Sequence, residues 1–215
     1  MKKLGQKQIT GVIHLLSGTR VGGSDDMLQI GGTDLTCIKH PVTLEPYLPG
    51  SSLKGKMRSE LEKKEGKFGG AGQNEPCGCA REDCLICRVF GPHKKPDHKL
   101  APSRIIIRDA PLIEGGRVEI KSENIIDRKT GTAQYPRKVE RVAAGSKFLL
   151  KIAIQYWDID DGCAYDGKTG VEALVEFVRA GLRELQKTGI GAGTSRGYGE
   201  IEFLDLKLDG KPFSL

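Results

Sequence analysis

Four cysteines within eleven residues, Cys77, Cys79, Cys84 and Cys87, form the pattern C-x-C-x4-C-x2-C. Four thiolates this close can complete a tetrahedral site, and soft sulfur ligands favour zinc. His93 and His98 follow and can each stand in for one Cys. A site closed by four protein ligands leaves no position for a reactant, so the expected chemistry is structural: a metal that staples a loop. Cys37 and Cys163 stand alone. Clustered cysteines in a chain of intracellular character read as metal ligands, not as a disulfide framework.

The second chemical signal is "PGSSLKGKM", residues 49–57. From Gly50 it spells G-x-x-x-x-G-K, but Met57 stands where a nucleotide-binding loop needs Ser or Thr for Mg²⁺. The preceding "TLEPYLPG" is not a hydrophobic strand, and no apolar run ends in a metal-holding Asp, so an NTPase is set aside. What survives is a helix start, Gly50, Ser51 and Ser52, beside Lys54, Lys56 and Arg58, where phosphate of any kind is favoured. The plainer alternative is a capped surface helix with solvated lysines.

The glycine run "GIGAGTSRGYGE" (189–200) offers backbone amides and Arg196 to a phosphodiester chain. "YPRKVER" adds Arg137, Lys138 and Arg141, with Arg128 nearby. Singly these are solvated charges; three basic clusters together point to one long anionic ligand. Asp34, in "IGGTD", is a lone acid whose ordinary role would be to satisfy its own turn, as with Asp25 and Asp26. His14 and His40 have no evident catalytic partner, and no Ser-His-Asp or Cys-His set can be argued from spacing.

These residues need elements to hold them. The chain of 215 residues is 38% hydrophobic and 29% charged, with net charge +6, enough for one globular core and disposed toward polyanions. It has no apolar run of the ~18 residues a membrane span needs, and its first residues lack a signal-peptide core, so a cytoplasmic location is expected. Aromatics are few, which argues against a surface of stacking platforms. A strand is expected over 8–18, then a long loop, 20–49. Ser51 and Ser52 would cap a helix over 53–64 that turns Leu53, Met57 and Leu61 to the core. A polar, cysteine-bearing insertion covers 66–100, and a strand follows at 103–112. A second insertion, 115–145, holds a hairpin around Thr130-Gly131. A strand at 147–157 precedes an amphipathic helix marked by Val171, Leu174, Val175, Val178, Leu182 and Leu185. The alternating "EIEFLDLKL" is the last strand. Without its insertions this order is βαββαβ: an α+β, ferredoxin-like (RRM-like) domain, with the whole chain as one unit.

"IGGTD", "PGSSLKGKMR", "RVFG", "IIDR…PRKVER" and "GAGTSRGYGEIEF" stand in the order found in RAMP-superfamily backbone subunits of type III CRISPR effectors. The chain resembles most closely the repeated RNA-cleaving subunit of the type III-A (Csm) complex, from about residue 8 to 208. The resemblance implies copies stacked as a filament along a guide RNA, beside other effector subunits, each copy covering six nucleotides. A hairpin thumb, 121–141 here, would splay one pair of the guide–target duplex per segment. Asp34 falls on the acid needed to cut target RNA with Mg²⁺ or another divalent cation, which reverses its reading as a mere turn residue. Ser51, Ser52, Lys54, Lys56, Arg58 and the loop Gly193, Thr194, Ser195 and Arg196 would grip the guide backbone, with Arg128, Arg137, Lys138 and Arg141 on the thumb. A basic residue before the "VGG" turn is often His in the family; here it is Arg20, which cannot act as a general base. Two rivals remain: a subunit that binds RNA without cutting it, and a repeat-processing endoribonuclease of related fold.

Overall fold

A computed structural model of the chain describes residues 1–22, 35–67, 75–100 and 102–215. The elements in chain order are β1 (Lys3–Leu15), β2 (Tyr47–Leu48), α1 (Gly50–Lys64), α2 (Leu85–Phe90), β3 (Ile105–Ile107), β4 (Ala110–Glu114), β5 (Val118–Ile126), β6 (Ala133–Val142) and β7 (Lys147–Trp157). They continue with β8 (Ala164–Tyr165), β9 (Lys168–Thr169), α3 (Gly170–Thr188), β10 (Ile201–Leu208) and β11 (Lys211–Pro212).

The main sheet is antiparallel, in the order β11-β10-β1-β7-β4-β2, with β3 also paired to β7. Alternation decides which face is covered. Ile9, Ile13 and Leu15 of β1 are buried, as are Phe148, Leu150, Ile152 and Ile154 of β7, and the register sets Ile9 beside Ile152 and Ile13 beside Phe148. Helices α1 and α3 complete this core. The stripe on α3 (Leu174, Val178, Leu182, Leu185) is buried, and Leu53, Met57 and Leu61 are the buried face of α1. The two helices meet at Gly181, where a Cβ would lie 2.6 Å from Met57 Cγ and 3.0 Å from Leu61 Cδ1. Met57, the residue that spoils the nucleotide-loop motif, is therefore helix-packing material.

Two local expectations change. The helix starts at Gly50, not at 53, and its cap residue is Pro49, not the Ser-Ser pair, which lies exposed in the first turn. The Gly50 amide instead donates to Asp109 Oδ1 at 2.7 Å. The strand expected over 103–112 is split into β3 and β4, and the break at Arg108-Asp109 delivers that carboxylate to the helix, where it meets the positive end of the dipole. Gly50 is required there: a Cβ would sit 2.3 Å from the Ile107 carbonyl oxygen.

The chain after β7 folds back as a short 3₁₀ turn that buries Asp160. Asp160 accepts from Arg104 Nε and Nη2 at 2.9 and 2.7 Å, from Arg88 Nη1 at 2.9 Å and from the Trp157 amide at 2.9 Å. This buried node joins α2 to the start of β3 and the end of β7. Among the described residues no helix is long and apolar enough to cross a membrane.

Candidate nucleic-acid interface and metal site

Three segments converge where β1 ends. Thr19 and Val142 exchange both backbone hydrogen bonds, at 2.9 and 2.8 Å, which fastens the base of the β5–β6 hairpin to the chain leaving the sheet. One residue on, the Arg20 carbonyl accepts from the Ala192 amide at 2.8 Å, which brings in the glycine loop. Gly22 then bridges Cys37, and the Leu35 carbonyl accepts from Glu140 of β6 at 2.8 Å. Asp34, with the rest of 23–34, lies outside the described residues; both chain ends flanking that stretch are bonded at this convergence.

Glu140, buried on β6, is the anchor on the hairpin side. Its Oε2 accepts from the Cys37 amide at 3.0 Å, and its Oε1 pairs with Lys39 Nζ at 2.5 Å. Burial pushes the Cys37 thiol up to about 11, so this cysteine stays neutral and structural.

The hairpin itself runs from Val118 to Val142 and turns at 127–132, where Asp127 Oδ1 accepts from the amides of Lys129 and Thr130. Arg128 is exposed at this tip, and Lys138 is exposed on β6 opposite Ser122. One face of the hairpin base alternates charge: Glu119, Lys121 and Glu123 on β5 lie across from Arg141, Val139 and Arg137 on β6. The glycine loop lies against this face. Tyr198, buried, donates from its hydroxyl to Glu123 Oε1 at 2.5 Å, while Arg137 Nη2 reaches Glu123 Oε2 at 2.8 Å. Arg196 Nη1 stands 3.7 Å from the same oxygen, and Lys121 Nζ lies 4.3 Å from the centre of the Tyr198 ring. The Tyr198 hydroxyl, with Arg137 and Arg196, holds the Glu123 carboxyl below its ordinary range.

Backbone geometry explains much of the loop's glycine. Gly193 and Gly197 bracket a 3₁₀ turn over Thr194–Arg196 with φ of 81° and 80°, and a Cβ on Gly199 would sit 1.9 Å from the Ile190 carbonyl oxygen. Within the turn, Ser195 and Arg196 are exposed.

The structure thus gathers Arg20, Arg137, Arg141, Gly193, Thr194, Ser195 and Arg196 around one convergence. The α1 cations have other partners. Lys54 Nζ reaches the Ile105 carbonyl at 3.2 Å, and burial lowers its pKa. Lys56 pairs with Glu60 at 2.7 Å. Arg58 binds Glu62 at 2.8 Å and the Cys77 carbonyl at 2.8 Å. Glu123, Tyr198, Glu140 and Asp109 were not singled out from sequence. Only the first carried a signal, the alternating charges of β5 set against the arginines of β6.

The cysteine-bearing loop is built onto α1. Glu62 Oε1 accepts from the Cys77 amide at 2.9 Å, beside the Arg58 bond to the carbonyl of the same residue. Cys84 and Cys87 sit at the start of α2, and the Sγ atoms of Cys77, Cys79, Cys84 and Cys87 all lie within 4.8 Å of one another. Four soft donors converging at this spacing fit a metal such as zinc. His98 is not among them: its Nδ1 accepts from the Leu100 amide at 3.2 Å. Gly78 lets the loop close, since a Cβ there would meet the His93 carbonyl oxygen at 2.5 Å.

The RAMP superfamily profile matches residues 13–202, a span that includes the end of β1, the hairpin, the cysteine loop and the glycine loop. The chain belongs to the RAMP superfamily. This RAMP protein is 38% identical to the "CRISPR system Cms endoribonuclease Csm3" of Methanocaldococcus jannaschii, over 97% of this chain and 82% of that one. It is 34% identical to the protein of the same name from Streptococcus thermophilus, over 91% of this chain and 86% of that one. Among solved structures it is similar to a Csm3–Csm4 subcomplex of the type III-A CRISPR-Cas interference complex, with TM-score 0.60 and 28% identity, covering 97% of this chain and 79% of that one. A type III-B Cmr-beta complex bound to cognate target RNA shares the fold, with TM-score 0.64 at 16% identity. The family that matches is the one the motifs resemble.

Proposed function

We propose that this RAMP protein is a guide-RNA-binding backbone subunit of a type III-A CRISPR interference complex and an endoribonuclease that cuts complementary target RNA. The observation that carries the reading is the convergence at the end of β1. There the hairpin base, the glycine loop with Arg196, and the chain on either side of the Asp34 stretch are bonded together. Its relatives are named endoribonucleases, and the chain matches them over nearly its full length.

In this reading copies of the chain repeat along the guide, and the β5–β6 hairpin is a thumb that opens one base pair per copy. Opening a pair frees the adjacent 2′-hydroxyl to line up with its phosphate, so that geometry supplies much of the acceleration. Asp34 is the proposed catalytic carboxylate, accepting the 2′-hydroxyl proton as a base or holding a divalent cation such as Mg²⁺. That cation, when bound, supplies charge neutralisation at the scissile phosphate. Ser195 and Arg196 grip the guide backbone, as do Arg20, Gly193, Thr194, Arg137, Lys138 and Arg141. Arg128 extends the thumb. Ser51, Ser52 and Lys56 contribute from α1, and Lys54 and Arg58 mainly hold that helix in place. The strand order β10-β1-β7 with β3 and β4 outside it, backed by α1 and α3, supports a ferredoxin-like core with two insertions, 66–100 and 115–145. The four cysteines hold structural zinc.

The test is direct. Asp34→Ala is expected to retain RNA binding and assembly while abolishing the ladder of target fragments at six-nucleotide spacing that the wild type gives with Mg²⁺. An unchanged ladder would remove Asp34 from the reaction, and no ladder from the wild-type complex would favour a binding-only subunit.

A further inference from the structure

The polar node between the hairpin base and the glycine loop has the composition of an anion site that is already filled from within. Glu123 is a single carboxylate, only 12% exposed, surrounded by Arg137 at 2.8 Å, Arg196 at 3.7 Å, Lys121 at 4.0 Å and the Tyr198 hydroxyl at 2.5 Å. Two guanidinium groups, an ammonium and a phenol are also the donors a phosphodiester recruits, and its two non-bridging oxygens present one negative charge much as a carboxylate does. Their exposure differs in a telling way. Arg137 and Arg196 are 39% and 54% open to solvent, while the carboxylate between them is nearly covered. Arg141 lies 5.1 Å over the Tyr198 ring and is paired with Glu119.

The partners also divide by element. Glu123, Lys121 and Arg137 belong to the hairpin, whereas Tyr198 and Arg196 belong to the glycine loop. The bonds from Glu123 to Tyr198 and Arg196 are thus bonds that hold the hairpin down. We infer that Glu123 is an exchangeable latch: in the free chain it holds Tyr198 and Arg196 of the glycine loop, and a phosphate of single-stranded RNA takes both donors from it, releasing the hairpin from the glycine loop. Glu123 keeps Arg137, its cross-strand neighbour, so the exchange leaves no bare carboxylate and needs no change within the hairpin. The cluster can accept the phosphate because its charges, three cations and one anion around Tyr198 with Arg141 balanced by Glu119, remain positive in sum. This inference rests on the RNA-binding reading above and adds a step to it. Glu123 acts here as a positioning residue, since it repels the ligand it gives way to.

The experiment uses the purified chain and a labelled single-stranded oligouridylate, titrated across a salt series. Glu123→Gln keeps the shape but removes the competing charge and, with it, the charge-assisted bonds from Tyr198 and Arg196 that hold the latch. It is expected to bind several-fold tighter than wild type with an unchanged salt slope, because the same phosphate contacts form in both once the latch has opened. Tyr198→Phe, which loosens the latch without altering charge, should bind modestly tighter with an unchanged slope. Hydrogen exchange supplies the second readout: oligouridylate should raise exchange at residues 118–123 and 137–142 of the wild type, and both variants should show that raised exchange without ligand. Weaker or equal binding by Glu123→Gln, or a hairpin base that exchanges no faster with ligand, would overturn the latch while leaving RNA binding intact. A wild type that does not bind oligouridylate at any salt would overturn the RNA-binding reading, and the latch with it.

Discussion

Asp160 shows how a single residue can set the acid limit of the fold. It is buried, with Arg104 beneath it fully covered and Arg88 alongside. Burial by itself would raise its pKa, but the bonds from Arg104, the Trp157 amide and Arg88 outweigh that and leave it lowered. A carboxylate depressed in the folded state contributes stability that is full above the unfolded pKa and is lost as pH falls through the folded one. The node should therefore hold at neutral pH and weaken only below about pH 4, where an unfolded Asp begins to protonate. Asp160→Asn strands Arg104 without a counter-charge and should cost about 3–5 kcal/mol at neutral pH. Thermal melts of both proteins from neutral pH to pH 2 check this, the gap between them closing as the solution becomes acid.

At the scale of elements, the helix pair is the tightest joint. Gly181→Val would drive a side chain into Met57 and Leu61, and an overpacked core of this kind typically loses 1–3 kcal/mol. Denaturant unfolding should show a lower midpoint with an unchanged slope, because the surface exposed is the same. Elements of this sort were legible from the chain. The stripe on α3, the buried face of α1 with Met57 in it, and the presence of strands at β7 and β10 all follow from local pattern, although β10 buries Ile201 and Leu206 and not one clean alternating face. What was hidden depended on partners far off in sequence. Nothing near Gly50 announces that its amide is met by Asp109, and nothing near Lys54 or Arg58 says that their charges are already engaged by Ile105 and Cys77. The hairpin was visible only at its turn, because Val118, Ile120, Ile125 and Ile126 of β5 are exposed and give no buried alternation to read. Part of the glycine loop's density, read from sequence as ligand contact, is explained by close backbone approach at Gly199.

For the molecule as a whole, the cysteine loop is the part whose folding should depend on a ligand. Its bonds to the rest run through Glu62 and Arg58 on α1 and through Arg88 to Asp160. Metal bound by four thiolates contributes its binding free energy to folding. Zinc removal by a strong chelator, or Cys84→Ser, should lower the melting temperature and open residues 75–91 to limited proteolysis, with zinc restoring the wild type but not the variant. Protection that survives chelation would show that the polar anchors and the burial of Ile86, Val89 and Phe90 hold the loop without metal.

The place of β1 in the sheet has a consequence for biosynthesis. Its neighbours are β7 and β10, so Ile9 lies between Ile152 and Leu208, partners separated from it by most of the chain. At translation speeds of about 5–20 residues per second, β1 waits on the order of ten to forty seconds after its own synthesis before β10 exists to cover its second edge. Until β7 is made the future centre of the sheet is an unpaired strand carrying Ile9, Ile13 and Leu15, and until β10 follows it keeps one open edge, the kind that recruits other chains. A nascent chain of this design should therefore gain in soluble yield from whatever shields strands at the ribosome exit.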